Sequence, residues 1–213
     1  MAIAASQNPG LRADALQNRV RIVEVAREAF AKLGTGVPMA EIARRAGVGV
    51  ATLYRRFPTK ESLVTEAFTD QITECAAVVH DALADPDPWR GFCTAIARVC
   101  EMQAVDKGFT AAFVTSFPDA VDFERDRARA EQDFADLVQR AKDAGKLRAD
   151  FVRNDLILLM MANSGIVAGS AEATVAASRR LVAYLLQSFR ADRAGPLPPS
   201  VPLGIENVLR SQP

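Results

Sequence analysis

Between residues 50 and 60 the chain gathers Val50, Ala51, Thr52, Tyr54, Arg55, Arg56 and Lys60, directly after a Gly47-Val48-Gly49 turn. These side chains are small, hydroxylated or cationic, and no acidic residue interrupts them. Their chemistry is recognition, not bond-making. Small outward side chains with an arginine among them let a short helix enter the major groove of DNA and read base edges, a role that fits Val50, Ala51, Thr52 and Arg55. Hydroxyls and cations hold phosphate oxygens and so fix the register, which fits Tyr54, Arg56 and Lys60. Leu53 and Phe57, four residues apart, share a face that can anchor the same helix to a core.

Charge distribution agrees with that reading. The 213-residue chain carries 26 basic and 26 acidic side chains, a formal charge of zero. Residues 1–60 hold ten basic and four acidic groups, whereas the remainder holds sixteen basic and twenty-two acidic ones. A basic head on an acidic body points to a polyanion as partner of the head alone.

Other chemistries find little support. His80 is the single histidine, which disfavours zinc sites built on several imidazoles, and no metal or cofactor is expected. Cys75 lies five residues before it, a poor spacing for one helical face, so no nucleophile–base pair emerges and no catalytic residue is assigned. Gly47-Val48-Gly49 has neither a third glycine nor a preceding strand, so it is no dinucleotide loop. Cys75, Cys93 and Cys100 form no CxxC pair and suit a reducing cytoplasm. Cys93 and Cys100 sit about two turns apart on one helix, too far to bridge directly. Residues 1–10 lack a basic start followed by a long apolar core, so no secretory signal is expected. The longest apolar run, Leu156 to Gly169, contains Asn163 and Ser164 and is shorter than the ~18–20 residues of a membrane span.

The elements that must position the 50–60 cluster are helical. Ile22, Ala26, Phe30 and Leu33 recur at helical spacing, predicting a helix from about Ala15 to Leu33 that Gly34 stops. Pro38 suits a first helical position, and Met39, Ile42 and Ala43 give a second, short apolar face. A third helix runs from Val50 to Phe57 and ends at Pro58. Two short helices joined by a glycine turn form a helix-turn-helix by pattern. Beyond it, Thr59 is placed to cap a helix reaching His80 or Ala84, and Asp85-Pro86-Asp87-Pro88 breaks the chain before a helix from Trp89 to Ala104. Further helices are expected around Thr110–Ser116, along the charged stretch with Ala130, Phe134, Leu137, Val138 and Ala141, and at Asn154–Gly169 and Ala173–Arg190. The prolines after Ala194 predict an extended or mobile tail. The expected fold is all-α, about nine helices, divided into a tail (1–14), a DNA-binding head (15–60), a sensing and dimerisation body (61–193) and a C-terminal tail (194–213).

Ala40-Glu41-Ile42-Ala43, then Ala46-Gly47-Val48-Gly49-Val50-Ala51-Thr52-Leu53-Tyr54-Arg55-Arg56-Phe57-Pro58-Thr59-Lys60-Glu61-Ser62-Leu63, resembles the DNA-binding head of the TetR/AcrR family of bacterial one-component repressors. The likeness covers roughly residues 19–68. It implies that Val50, Ala51 and Arg55 face bases, and that Thr52, Tyr54, Arg56 and Lys60 contact phosphates. Four positions depart from the family pattern. Gly49 stands where a hydroxyl residue often caps the recognition helix, at a cost usually below ~1 kcal/mol for Gly. Val37-Pro38 replace a common hydroxyl pair, and Arg56 replaces a frequent histidine.

In the body, the last two helices carry an apolar stripe that needs a partner, either the chain's own core or a second copy. The resemblance implies a four-helix seam between two subunits, with Leu159, Asn163, Val167, Val182, Leu185 and Phe189 as candidates. It further implies a repressor that binds a palindromic double-stranded operator as a homodimer, released by a small apolar or amphipathic effector. Candidate pocket residues are His80, Trp89, Phe92, Cys93, Met102, Phe113 and Met161, although Met and Phe at helical spacing are more often core. Ligand and DNA would then favour different separations of the two heads, coupled through the helix that begins at Thr59. The alternatives are a helical interaction protein without sequence-specific DNA binding and a cysteine-based redox-responsive regulator.

Overall fold

The computed structural model describes residues 9–106, 121–201 and 203, with side chains from residue 16 and, after the break, from residue 124. It contains α1 (Pro9–Leu33), α2 (Met39–Ala46), α3 (Val50–Arg56), α4 (Lys60–Leu83), α5 (Pro88–Val105), α6 (Val121–Asp143), α7 (Arg153–Ser164) and α8 (Ala171–Ser188), then a 3-10 turn at Ala191–Arg193. The described residues form no strand; an isolated antiparallel bridge pairs Leu147 with Arg190. The helix expected at Thr110–Ser116, and Phe113 with it, lies outside the described residues. The chain falls into two compact units that divide after Ala67.

The first unit buries Ile22, Ala26, Ala29 and Phe30 of α1 against Ile42 and Ala43 of α2, Leu53 of α3, Phe57, and Leu63 of α4. Leu33 departs from the expected stripe: it is the last residue of α1 and its side chain is 55% exposed. α1 starts at Pro9, not near Ala15. Pro38 precedes α2 as its extended N-cap, with Met39 the first helical residue. Gly47 ends α2 at φ 65°, the left-handed geometry glycine adopts without a Cβ penalty, and the chain turns back as the Val48 N–H bonds to the Ala43 carbonyl at 3.0 Å. Thr59 caps α4 as expected, its hydroxyl accepting from the Ser62 N–H at 3.1 Å. Arg19 joins α1 to the start of α4 through the Glu66 carboxylate and lies 4.7 Å over the Phe57 ring.

In the second unit α5 is central and packs against α6, α7 and α8. Asp87 caps it by accepting from the N–H groups of Trp89 and Arg90, with Pro88 in the first helical position. Phe92 is fully buried and edge-on to Phe151 at 5.4 Å, and Phe151 in turn meets Phe189 at 5.1 Å. Gly91 lets α5 approach the end of α4: a Cβ there would lie 2.3 Å from the Ala82 carbonyl oxygen. Arg140 donates to the Leu83 and Asp85 carbonyls and so terminates α4.

Three buried polar side chains lock α5, α7 and α8 together. Asn163 donates to Gln103 Oε1 at 2.7 Å and to the Cys100 carbonyl at 3.0 Å, while Ser178 donates to Asn163 Oδ1 at 2.6 Å. Gln103 donates to the Met160 carbonyl at 3.1 Å. α7 ends at Ser164 instead of Gly169, because Ser170 opens α8 by capping the Ala173 N–H and Thr174 takes the Ala168 N–H. Residues 194–201 carry no regular secondary structure, but they are held at two points. Buried Arg148 donates to the Gly195 carbonyl at 2.8 Å, and Asn154 donates to the Val201 carbonyl at 2.9 Å.

Candidate nucleic-acid interface

α3 has seven residues and one job for each face. Leu53 is fully buried and, with Phe57, fixes the helix to the first unit's core. Val50 (43%) and Tyr54 (47%) are large yet open to solvent, and Ala51 and Arg55 are exposed beside them. Thr52 and Arg56 are half-buried. Gly49 precedes the helix with no side-chain cap bond, as its lack of a side chain dictates.

The disposition of positive charge separates α3 from the rest of the first unit. Arg44 and Arg45 both bind Glu41, at 2.7–2.8 Å, and these hydrogen bonds, Arg44's foremost, lower the Glu41 carboxyl to about 2. Arg19 is held by Glu66, Arg21 by Asn18, Arg27 by the Ala67 carbonyl, and Lys32 lies 3.6 Å from Glu28. Lys60 Nζ donates to the Thr35 and Gly36 carbonyls at 3.2 and 3.3 Å, so it also positions the loop before α2. Among the described residues, the Arg55 and Arg56 guanidinium groups alone in this unit have no side-chain or carbonyl partner. A cation without an internal partner loses no existing bond when it meets a phosphate or a base edge.

The second unit holds a cavity of about 320 Å³. α5 contributes Ala95, Ile96, Val99 and Cys100; α6 contributes Ala130, Phe134 and Val138; α7 contributes Leu156, Ile157 and Met160. Cys75 of α4 and Phe151 also face it, and its charged lining residues are Glu131, Lys142 and Arg153. None of the described pocket candidates from the sequence lines this space. Phe92 is sealed in the aromatic core with Trp89 stacked on it at 5.6 Å, and His80 is an exposed surface group 3.1 Å from Asp133. Cys93, Met102 and Met161 are half-buried elsewhere. A clue was present in the sequence: Ala130, Phe134 and Val138 recur every four residues and Leu137 and Ala141 widen that face beyond what one packed neighbour fills. Burial pushes the Cys75 and Cys100 thiols up to about 12, and Cys93 to about 11, so none is poised as a thiolate.

The seam candidates divide likewise. Leu159, Asn163 and Val182 are buried inside the single chain, and Leu185 and Phe189 pack against the same core. Val167 is 76% exposed, but it lies beyond the end of α7. The large apolar side chains left open on these two helices are Leu158 and Tyr184, each 56% exposed, and the sequence reading named neither.

Two family descriptions match the chain. "Bacterial regulatory proteins, tetR family" covers residues 22–67, and "Transcriptional regulator SbtR-like, C-terminal domain" covers residues 87–191. The HTH-type transcriptional regulator SAB2452 of Staphylococcus aureus (strain bovine RF122 / ET3-1) is 43% identical over 54 residues, 25% of this chain and 29% of that protein. The HTH-type transcriptional regulator LuxR of Vibrio harveyi is 34% identical over 77 residues, 36% of this chain and 38% of that protein. The match thus spans less than two-fifths of either relative. In fold, the chain is similar to the ketosteroid transcriptional regulator KstR2 of Mycobacterium tuberculosis, with a TM-score of 0.62 at 17% identity over 81% of this chain and 94% of that one.

Proposed function

The chain belongs to the tetR family of bacterial regulatory proteins, and from that premise we propose that it is a cytoplasmic, ligand-responsive repressor that binds a two-fold DNA operator as a homodimer. The observation that carries the reading is α3: a helix anchored from beneath by Leu53, with exposed Val50, Ala51 and Tyr54 flanked by two partnerless arginines. In this proposal Val50, Ala51 and Arg55 meet base edges, and Thr52, Tyr54, Arg56 and the remaining donor of Lys60 hold phosphates. Leu158 and Tyr184, open on adjacent helices, carry the subunit seam. The 320 Å³ cavity receives the effector, being of the size and apolar character that small-molecule sites have. α4 carries Lys60 at one end and Cys75 of the cavity further along, so it is the element on which both ligands would act.

Fluorescence anisotropy on duplexes tiling the DNA beside the protein's own gene tests the proposal. One fragment bound at least ~10³-fold tighter than a scrambled duplex is the expected result. Uniform weak binding on every duplex, abolished by moderate salt, would leave a merely electrostatic head and overturn it.

A further inference from the structure

The charged groups around the cavity are unequal in number and in engagement. Lys142 and Arg153 supply two cations against the one carboxylate of Glu131. Arg153 Nη2 lies 3.3 Å from Glu131 Oε2, and Arg127 Nη1 lies 3.9 Å from the other oxygen. Lys142 has no hydrogen bond or close ion pair among the described residues, although its charge reaches the Asp150 carboxylate and helps to lower it. Apart from the weakly polar thiols of Cys75 and Cys100, the other side chains that line it, from Phe134 and Phe151 to Leu156 and Met160, are apolar.

We infer that this cavity takes an amphipathic monocarboxylate, its hydrocarbon or aromatic body against the apolar walls and its carboxylate between Lys142 and Arg153. The inference rests on the reading of the cavity as the effector site and adds the ligand's chemical class. Among the lining residues two cations face one carboxylate, an excess of positive charge that an incoming carboxylate offsets. Arg153 already holds a carboxylate, that of Glu131, and a planar guanidinium pairs with such a group in forked geometry. An incoming acid therefore competes with Glu131 for Arg153 and gains Lys142 in addition. An alcohol of equal length gains the same apolar burial without either cation. An amine would be drawn to Glu131 and repelled by the other two.

Calorimetric titration of the full-length protein with decanoate, 1-decanol and decylamine tests this. Decanoate should bind at least ~10-fold tighter than decanol, the gain of one charge-assisted hydrogen-bonded pair. Arg153→Gln and Lys142→Gln should each erode that preference while leaving decanol unchanged, and Glu131→Gln should tighten decanoate alone. The methyl resonance of Met160 should shift on binding, locating the ligand. Equal binding of acid and alcohol, tightest binding of the amine, absence of decanoate binding, or a preference that survives both cation substitutions would overturn the inference. The effector reading fails separately: decanoate preference with unchanged DNA affinity keeps the ligand class and removes the regulatory role.

Discussion

Substituting Asn163 by alanine distinguishes a lock inside one chain from a contact between chains. Asn163 is 2% exposed and makes three hydrogen bonds, to Cys100, Gln103 and Ser178. Its removal strands Gln103 Oε1 and leaves the Ser178 hydroxyl only a 3.5 Å contact with the Cys100 carbonyl. Each buried polar group left without a good partner costs about 1–3 kcal/mol, so Asn163→Ala should destabilise the helical body by ~2–5 kcal/mol. Ser178→Ala removes one donor and should cost about 1–2 kcal/mol. The double variant should be less destabilised than the sum, because Ser178 has no Asn163 to lose once the latter is gone. The assay is urea unfolding followed by circular dichroism at several protein concentrations, since association contributes to the apparent stability of a dimer. A loss below ~1 kcal/mol, or one that appears only as weakened dimerisation, would refute the reasoning and return Asn163 to the subunit seam.

Other expectations follow from the same packing. Gly91→Ala forces a methyl group within 2.3 Å of the Ala82 carbonyl, and thermal unfolding should report a loss of ~2 kcal/mol or more; a wild-type transition would contradict the close approach. Leu158→Glu, on the open face of α7, should lower dimer affinity at least ~10-fold in sedimentation experiments without unfolding the body. Glu41 is held at about 2, below its ordinary 4.5, by Arg44 and then Arg45; what it contributes to the head is present above pH 4.5 and lost as pH falls toward 2. Glu41→Gln should remove that acid sensitivity, and helical content followed down to pH 2 checks it. Cys93, half-buried but raised to about 11, should react slowly with a disulfide reagent in the native state, whereas Cys75 and Cys100, buried and raised to about 12, should wait for unfolding.

The head was legible in the sequence because each of its devices is local. Gly47 ends one helix, Leu53 and Phe57 anchor the next, and Thr59 caps a third, all within thirteen residues. What Lys60 does besides its proposed phosphate contact was not legible, since Thr35 and Gly36 are reached only when α1 and α4 pack together. The body was legible in its helices but not in their faces. Met161 and Met160 differ by one position, about 100° of helix, and only Met160 borders the cavity. Asn163 looked like a polar seam residue until Gln103 and Ser178, distant in sequence, closed around it. Apolar periodicity fixes which residues share a stripe; it does not say whether the stripe faces a core, a cavity or another subunit.

The most direct test of the account compares wild type, Arg55→Ala and Arg56→Ala by anisotropy on the tightest-bound duplex and on its scrambled counterpart across a salt series. Arg55→Ala should cost ~1–3 kcal/mol on the specific duplex and little on the scrambled one, collapsing the ratio between them. Arg56→Ala should weaken both duplexes alike and reduce the salt slope by about one. Full discrimination retained by Arg55→Ala would contradict the claim that α3 reads the operator.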